Sequence, residues 1–140
     1  MRYETTRDRI AQRAVADILE RKWRATMIET AKFCAVDFIA YRGPGIHALV
    51  EIKCRDNRSD KYDSLFLAFQ KWTAMKRASI ESGGLPALYV VQYTDGIKFA
   101  DLRFLNFRRL KTKMDGRRDR TGPNAIEPMI HLPIKYMRDL

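Results

Sequence analysis

The chain has 140 residues, 46% of them hydrophobic, and 27 Lys and Arg residues against 17 Asp and Glu residues give it a net charge of +10. This composition argues against a disordered or disulfide-stapled chain and favours one compact domain over residues 1–140. The positive excess indicates a polyanionic partner, with nucleic acid ahead of a membrane surface.

The sequence shows neither a targeting segment nor a zinc-binding motif. It contains no run of about 18 apolar residues, and the N-terminal stretch MRYETTRDRI lacks the apolar core of a secretion signal. We therefore expect a cytoplasmic protein of a bacterial, archaeal or phage-infected cell. Two cysteines and two histidines show no zinc-ligand spacing, which predicts ordinary reduced thiols.

The first predicted element is an amphipathic helix over residues 6–24, capped by Thr5 or Thr6. Its apolar positions recur at helical spacing: Ile10, Ala11, Ala14, Val15, Ile18 and Leu19. Residues 25–34 then predict a short strand. Two further runs, 36–42 and 46–55, are joined by Gly43-Pro44-Gly45 and predict an antiparallel hairpin.

A polar loop over 56–63 leads into a second predicted helix, 64–81, which ends at Gly83-Gly84. Its aromatic residues recur beside other apolar positions, and we expect Phe66, Phe69 and Trp72 to lie in the core. The continuous apolar run 86–93 is typical of a strand covered on both faces. A turn at 94–96 joins it to a strand over 97–102.

The last third of the chain is strongly basic. Residues 103–120 hold eight basic and two acidic side chains, and we expect a basic loop over 103–122 that contacts DNA phosphates. The basic residues assigned to this contact are Arg108, Arg109, Lys111, Arg117 and Arg118. Residues 126–137 predict an edge strand, because Pro128 and Pro133 cannot donate to a sheet. Both segments extend a core of about residues 3–102.

Three charged residues lie near one end of the predicted hairpin. Asp37 lies early in the first arm, and Glu51 and Lys53 lie late in the second, on one strand face because side chains alternate with period two. The closed hairpin can therefore bring all three together. Two neighbouring carboxylates repel unless a cation lies between them, and oxygen ligands favour a hard cation such as Mg²⁺.

The spacing Asp37, thirteen residues, Glu51-Ile52-Lys53 resembles the signature of the PD-(D/E)XK nuclease superfamily. The order of helix, hairpin, helix and strand over about residues 3–102 is most similar to archaeal-type Holliday junction resolvases and their phage relatives. The resemblance implies an α/β fold, a restriction-endonuclease-like core with a central mixed β-sheet flanked by helices.

The same resemblance implies roles for individual residues. Asp37, Glu51 and the carbonyl of Ile52 would bind Mg²⁺, for which Mn²⁺ should substitute, and Lys53 would orient the attacking water. Resolvases carry a metal-binding Glu on the first helix, and the matching residue here is Gln12. Asp8 shares the same helix edge and could also reach the site. Gln12 is equally interpretable as a surface amide without a role. The number of metal ions, one or two, therefore stays open.

DNA contacts are expected from further polar residues near this end of the sheet. Arg55 shares the strand face of Glu51 and Lys53, and Gln70 and Lys71 lie on the second helix. The resulting hypothesis is a Mg²⁺-dependent, structure-selective endonuclease that cuts branched DNA as a homodimer. The alternatives are a restriction-like, repair or end-processing nuclease of this fold, and a basic DNA-binding module without catalysis.

Overall fold

The structure is a computed structural model that describes residues 5–31, 34–116 and 126–140. In these ranges the chain forms two α-helices and nine β-strands. Their order is α1 (Thr6–Trp23), β1 (Thr26–Glu29), β2 (Phe38–Arg42), β3 (Gly45–Cys54), β4 (Ser64–Ala68), α2 (Phe69–Glu81), β5 (Ala87–Tyr93), β6 (Gly96–Asp101), β7 (Lys111–Gly116), β8 (Ile126–Pro133) and β9 (Arg138–Asp139).

The larger sheet is mixed. Its strand order is β1-β2-β3-β5-β6-β9, and β3 runs parallel to β5 while the other described pairings are antiparallel. The connection from β3 to β5 passes through β4 and α2, as a parallel pair requires a crossover. The predicted α/β fold, a central mixed sheet flanked by helices, is confirmed.

Helix α1 begins where the sequence predicts. The Thr5 hydroxyl accepts a hydrogen bond from the Asp8 backbone, and the Asp8 carboxylate accepts one from the Thr5 backbone, which forms a capping box. The helix buries Val15, Ala16 and Leu19 against the large sheet. The carboxylate of Asp8 is thus engaged at the helix end.

The predicted hairpin is also present. Arg42 pairs with Gly45 across a loop of two residues, and Gly43 has a φ of +59°. A positive φ at the first loop position followed by proline fits a type II′ turn, whose twist matches that of paired strands. The turn sets the register up to Tyr41, and a β-bulge between Ala40 and Tyr41 then shifts it by one residue, so that Phe38 faces Val50.

The predicted second helix, 64–81, is wrong over its first five residues. Ser64–Ala68 forms strand β4, and α2 begins only at Phe69. Leu65 and Leu67 point into the core, whereas Phe66 points away and is 44% exposed. The expectation of a buried aromatic therefore holds for Trp72 and fails for Phe66.

The predicted edge strand at 126–137 is also wrong. Strand β8 lies in the middle of a second sheet of order β4-β8-β7. It pairs with β7 over residues 126–131 and with β4 over residues 129–133, so it has two neighbours only over 129–131. Pro128 and Pro133 lie outside that stretch, where one side of the strand needs no N–H donor.

The basic segment is more ordered than the predicted loop over its described part. Single 3₁₀ turns lie at Leu102–Phe104 and Phe107–Arg109, and residues 111–116 form β7. Residues 117–125, with Arg117 and Arg118, lie outside the described residues.

Each face of the large sheet carries its own apolar cluster. One cluster packs α1 against Phe38, Val50 and Ile52. The other joins α2, β5 and the second sheet through Trp72, Tyr89 and Ile130. Strand β8 thus belongs to the packed interior. Neither helix in the described ranges is long and apolar enough to cross a membrane.

Candidate active site

Asp37 lies at the point where β2 and β3 begin to pair. Its backbone N–H donates to Val50 at 3.1 Å, and its carbonyl accepts from the backbone N–H of Thr30 at 2.9 Å. The side chain accepts from the backbone N–H of Ile52 through Oδ2, at 3.0 Å. Backbone bonds to two neighbouring segments therefore position this carboxylate beside the second half of β3.

Gln12 of α1 reaches the same place. Its Nε2 lies 3.5 Å from Asp37 Oδ2 and 3.3 Å from the carbonyl oxygen of Ile52. One amide group thus contacts two of the three groups that the sequence resemblance implies as metal ligands, Asp37 and the Ile52 carbonyl. The edge of α1 that carries Asp8 and Gln12 therefore faces Asp37, and Gln12 forms a hydrogen bond with it.

Glu51 is buried, although a glutamate side chain in water is charged at neutral pH. It is 2% exposed, and two ammonium groups flank its carboxylate: Lys71 Nζ lies 3.3 Å from Oε1 and Lys53 Nζ lies 3.8 Å from Oε2. Lys71 also donates to the carbonyl of Ala35 at 3.2 Å. Buried charges are costly unless paired, so the two lysines partly offset the burial of Glu51.

The surroundings nevertheless favour the protonated form of Glu51. Burial, and then the negative charge of Asp37, raise its pKa from 4.5 to about 7, although Lys71 and Lys53 act in the opposite direction. The two lysines therefore do not fully balance the two acids and the burial. A divalent cation would supply the missing positive charge.

The donor set fits a hard divalent cation. The described residues contain no group of three or more His, Cys, Asp or Glu side chains placed around one ion. Magnesium typically uses only one or two carboxylates and completes its octahedron with carbonyl, water and phosphate oxygens. The Asp37 and Glu51 carboxylates and the Ile52 carbonyl are of that kind.

The N-terminus of α2 adds polar groups on the same side as Lys71. Its N-cap position is Ala68, which makes no side-chain cap, so the first backbone N–H groups of the helix have no side-chain acceptor at that position. Such a helix end attracts anions. Gln70 is exposed here, in the first turn.

Three of the other residues assigned to DNA lie around two surface clefts. Arg55 lines one cleft, and Arg109 and Lys111 line the other. Arg108 is exposed on the 3₁₀ turn that precedes β7. Of the residues named from the sequence, the structure forms two neighbouring contact groups: Gln12 with Asp37 and Ile52, and Glu51 with Lys53 and Lys71. The charge of Asp37 acts on Glu51 and so links the two groups. The spacing of the motif does not predict the contact between Lys71 and Glu51.

Comparison with known structures shows a restriction-endonuclease-like fold. The chain matches the structure of Archaeoglobus fulgidus Hjc, described as a Holliday junction resolvase from an archaeal hyperthermophile, with a TM-score of 0.58 and 16% identity over 92% of this chain and 90% of that one. A search of curated proteins found no match. The chain belongs to the family described as "Phage putative PDDEXK endonuclease", whose model matches residues 1–140. The resemblance read from Asp37 and Glu51-Ile52-Lys53 is thereby confirmed as a family assignment.

Replacing Gln12 by glutamate should increase the affinity for metal and lower the stability of the metal-free protein. A carboxylate cannot donate to Asp37 and Ile52 as the amide does, and it adds a third acid to the cluster. We expect affinity for Mn²⁺ to rise about tenfold and the metal-free melting temperature to fall. Titration calorimetry and thermal unfolding would measure both.

Ala14→Glu is the matched control, because it adds the same charge at an exposed position of α1. Equal effects of the two substitutions on Mn²⁺ affinity would show that Gln12 has no special place in the site.

Proposed function

We propose that this protein is a Mg²⁺-dependent endonuclease that hydrolyses phosphodiester bonds in branched DNA, with four-way junctions as the preferred substrate. The observation that carries the proposal is the pairing of Asp37 with a buried Glu51 that two lysines flank. A solvated strand face would leave such a glutamate exposed. Family membership supports the nuclease class.

Asp37, Glu51 and the Ile52 carbonyl would hold the cation, which polarises the scissile phosphate and acidifies a water when bound. The protein groups do the rest. The ionised carboxylate of Glu51 accepts a hydrogen bond from Lys71, and this fixes the carboxylate at the end of α2. Lys53, which is partly exposed beside Glu51, can hold a water molecule and stabilise the negative charge that develops on the phosphate.

Charge on the surface supports DNA as the substrate. The net charge of +10 and the basic residues along the clefts would neutralise several phosphates, which makes binding fall steeply with salt. Arg55 follows Lys53 by two residues and can hold a phosphate next to the one that is cut.

A homodimer is part of the proposal. Opposed strands of a four-way junction are related by two-fold symmetry, and a dimer supplies two sites related in the same way. The structural match to Hjc supports the fold on which such a dimer would be built.

Gln12 favours one rival, a DNA-binding module without catalysis, because it lies where resolvases carry glutamate. A cleavage assay with Mg²⁺ separates the possibilities, using the same strand sequences annealed as a junction, a flap or a linear duplex. We expect paired nicks in the junction and little cutting of linear DNA. Equal cutting of all three would indicate a repair or restriction-like enzyme. Binding without cutting, with any divalent ion, would indicate the module.

A further inference from the structure

A cleft of about 650 Å³ lies just beyond the lysine end of β3, and among its lining residues the function proposed above uses Arg55 alone. Its lining includes Arg55, Asn57, Tyr62, Phe66 and Tyr93. The backbone N–H of Arg55 donates to Gln92 at 2.8 Å and prolongs the pairing of β3 with β5. Arg55 is therefore about 7 Å along the chain from Lys53, roughly the distance between successive phosphates of a nucleic acid strand.

Two aromatic side chains of this cleft are open to solvent. Tyr62 is 61% exposed and Phe66 is 44% exposed. The Phe66 ring stacks on His131, with ring centroids 4.0 Å apart and an angle of 21° between planes. One face is thus supported by the protein while the residue keeps a large exposed area. Phenylalanine held this way is a platform on which a flat ring can stack.

The floor of the cleft holds a polar group that lacks a partner. Tyr93 is 6% exposed, and its hydroxyl has no hydrogen-bond partner among the residues that the structure describes. Buried hydroxyl groups are nearly always hydrogen-bonded, since an unpaired one loses its contacts with water. A ligand with a hydrogen-bonding edge would satisfy it.

The basic charge near the cleft lies mainly in a neighbouring cleft, because one arginine, Arg55, and one acid, Asp63, are the charged residues that line the aromatic cleft itself. Arg55 lies at the end nearest Lys53, and a second cleft of about 800 Å³ shares Ser59, Tyr62, Asp63, Ser64 and Ile134 with the first. Four basic residues line that second cleft: Lys98, Arg109, Lys111 and Lys135. A basic path next to aromatic rings is the usual arrangement for single-stranded nucleic acid.

We infer that the aromatic cleft binds one unstacked nucleotide of the DNA substrate, with the base on Phe66 and Tyr62, its edge at the Tyr93 hydroxyl and its phosphate at Arg55. This inference rests on the proposed nuclease function, because it places that nucleotide beside the phosphate to be cut. A base in an intact duplex must be unpaired before it can enter, which costs less at a branch point, where stacking can be interrupted, and nothing in a single strand. The cleft would therefore favour branched over linear DNA.

Photocrosslinking tests this directly. A junction carries 5-iodouracil at its branch point, and a matched junction carries it in the middle of an arm. Asp37→Asn protein binds both without cutting, and peptides crosslinked by ultraviolet light are identified by mass spectrometry. We expect crosslinks to the peptide containing Tyr62 and Phe66 from the branch-point base alone. Equal crosslinking from both positions, or none at this peptide, would overturn the inference.

Affinity gives a second readout. Phe66→Ala removes the exposed platform and should weaken junction binding about tenfold, and Ile80→Ala, which removes an exposed apolar side chain outside both clefts, should not. Tyr93→Phe should also weaken junction binding while leaving thermal stability unchanged or higher, because the lost hydroxyl has no protein partner. Unchanged affinity in both cleft variants would contradict the inference. Cleavage by the wild-type protein tests the nuclease proposal separately. If the wild-type protein cuts junctions but the branch-point base gives no crosslink at the peptide containing Tyr62 and Phe66, the cleft inference fails and the nuclease proposal stands.

Discussion

Replacing Asp37 by asparagine is expected to abolish DNA cleavage while leaving the fold and DNA affinity in place. The asparagine side chain has the same size, and its oxygen can still accept the hydrogen bond from the backbone of Ile52. What is lost is the negative charge that, in the proposed site, would bind a cation together with Glu51. Lewis-acid stabilisation is worth several kcal/mol, so the cleavage rate should fall about 10³-fold or more.

The measurement is single-turnover cleavage of a labelled junction, together with binding of the same DNA in the absence of divalent ions. Asp17→Asn is the matched control, since it removes the same charge from an exposed position of α1. Lys53→Ala should give a comparable loss in this assay, and Lys22→Ala, at the exposed end of the helix, should not. Cutting at the wild-type rate by either site variant would show that the residue has no part in catalysis.

The second large effect concerns stability. Glu51→Gln is expected to make the metal-free protein more stable near neutral and alkaline pH. Because burial and the charge of Asp37 raise the pKa of Glu51 to about 7, the folded protein keeps a proton on this group between about pH 4.5 and 7 that the unfolded chain releases. The contribution of Glu51 to stability is therefore greatest at low pH and falls as the pH rises through this interval.

A shift of this size corresponds to about 3 kcal/mol at about pH 8. Glutamine removes the charge, so the gain should appear at about pH 8 and shrink at about pH 5. Divalent ions should reverse the order, because they stabilise the ionised site of the wild-type protein alone. Chemical unfolding at both pH values, with and without Mg²⁺, measures these changes.

Glu81→Gln serves as the control, since Glu81 is exposed at the end of α2. A Glu51→Gln protein that is less stable than wild type at about pH 8 without metal would mean that the buried carboxylate is satisfied by its lysines. The site would then have no need of a cation.

The elements near the site are predictable from local sequence. Helix α1 carries its own cap at Thr5 and an apolar stripe, and the hairpin carries its own turn at Gly43. Asp37 lies directly before β2 and the Glu51-Ile52-Lys53 triplet lies on β3, so the hairpin brings them to one end of the sheet. The exact register also depends on a β-bulge between Ala40 and Tyr41, which the sequence did not predict.

Longer-range features were not predictable for a physical reason. Ser64–Ala68 has an apolar pattern that fits a helix or a strand over five residues, and its partner β8 lies about sixty residues further along the chain. Pairing with β8 determines the strand, exposes Phe66 and starts α2 at Phe69. The contact between Lys71 and Glu51 depends on that starting point.

The claim that Asp37 and Glu51 share one divalent ion is tested most directly by a crystal structure of the protein with Mn²⁺, collected at a wavelength that reveals the metal. We expect an anomalous peak about 2.0–2.3 Å from both carboxylates and from the Ile52 carbonyl. A protein that cuts DNA under the same Mn²⁺ concentration yet shows no metal between these groups would contradict the account.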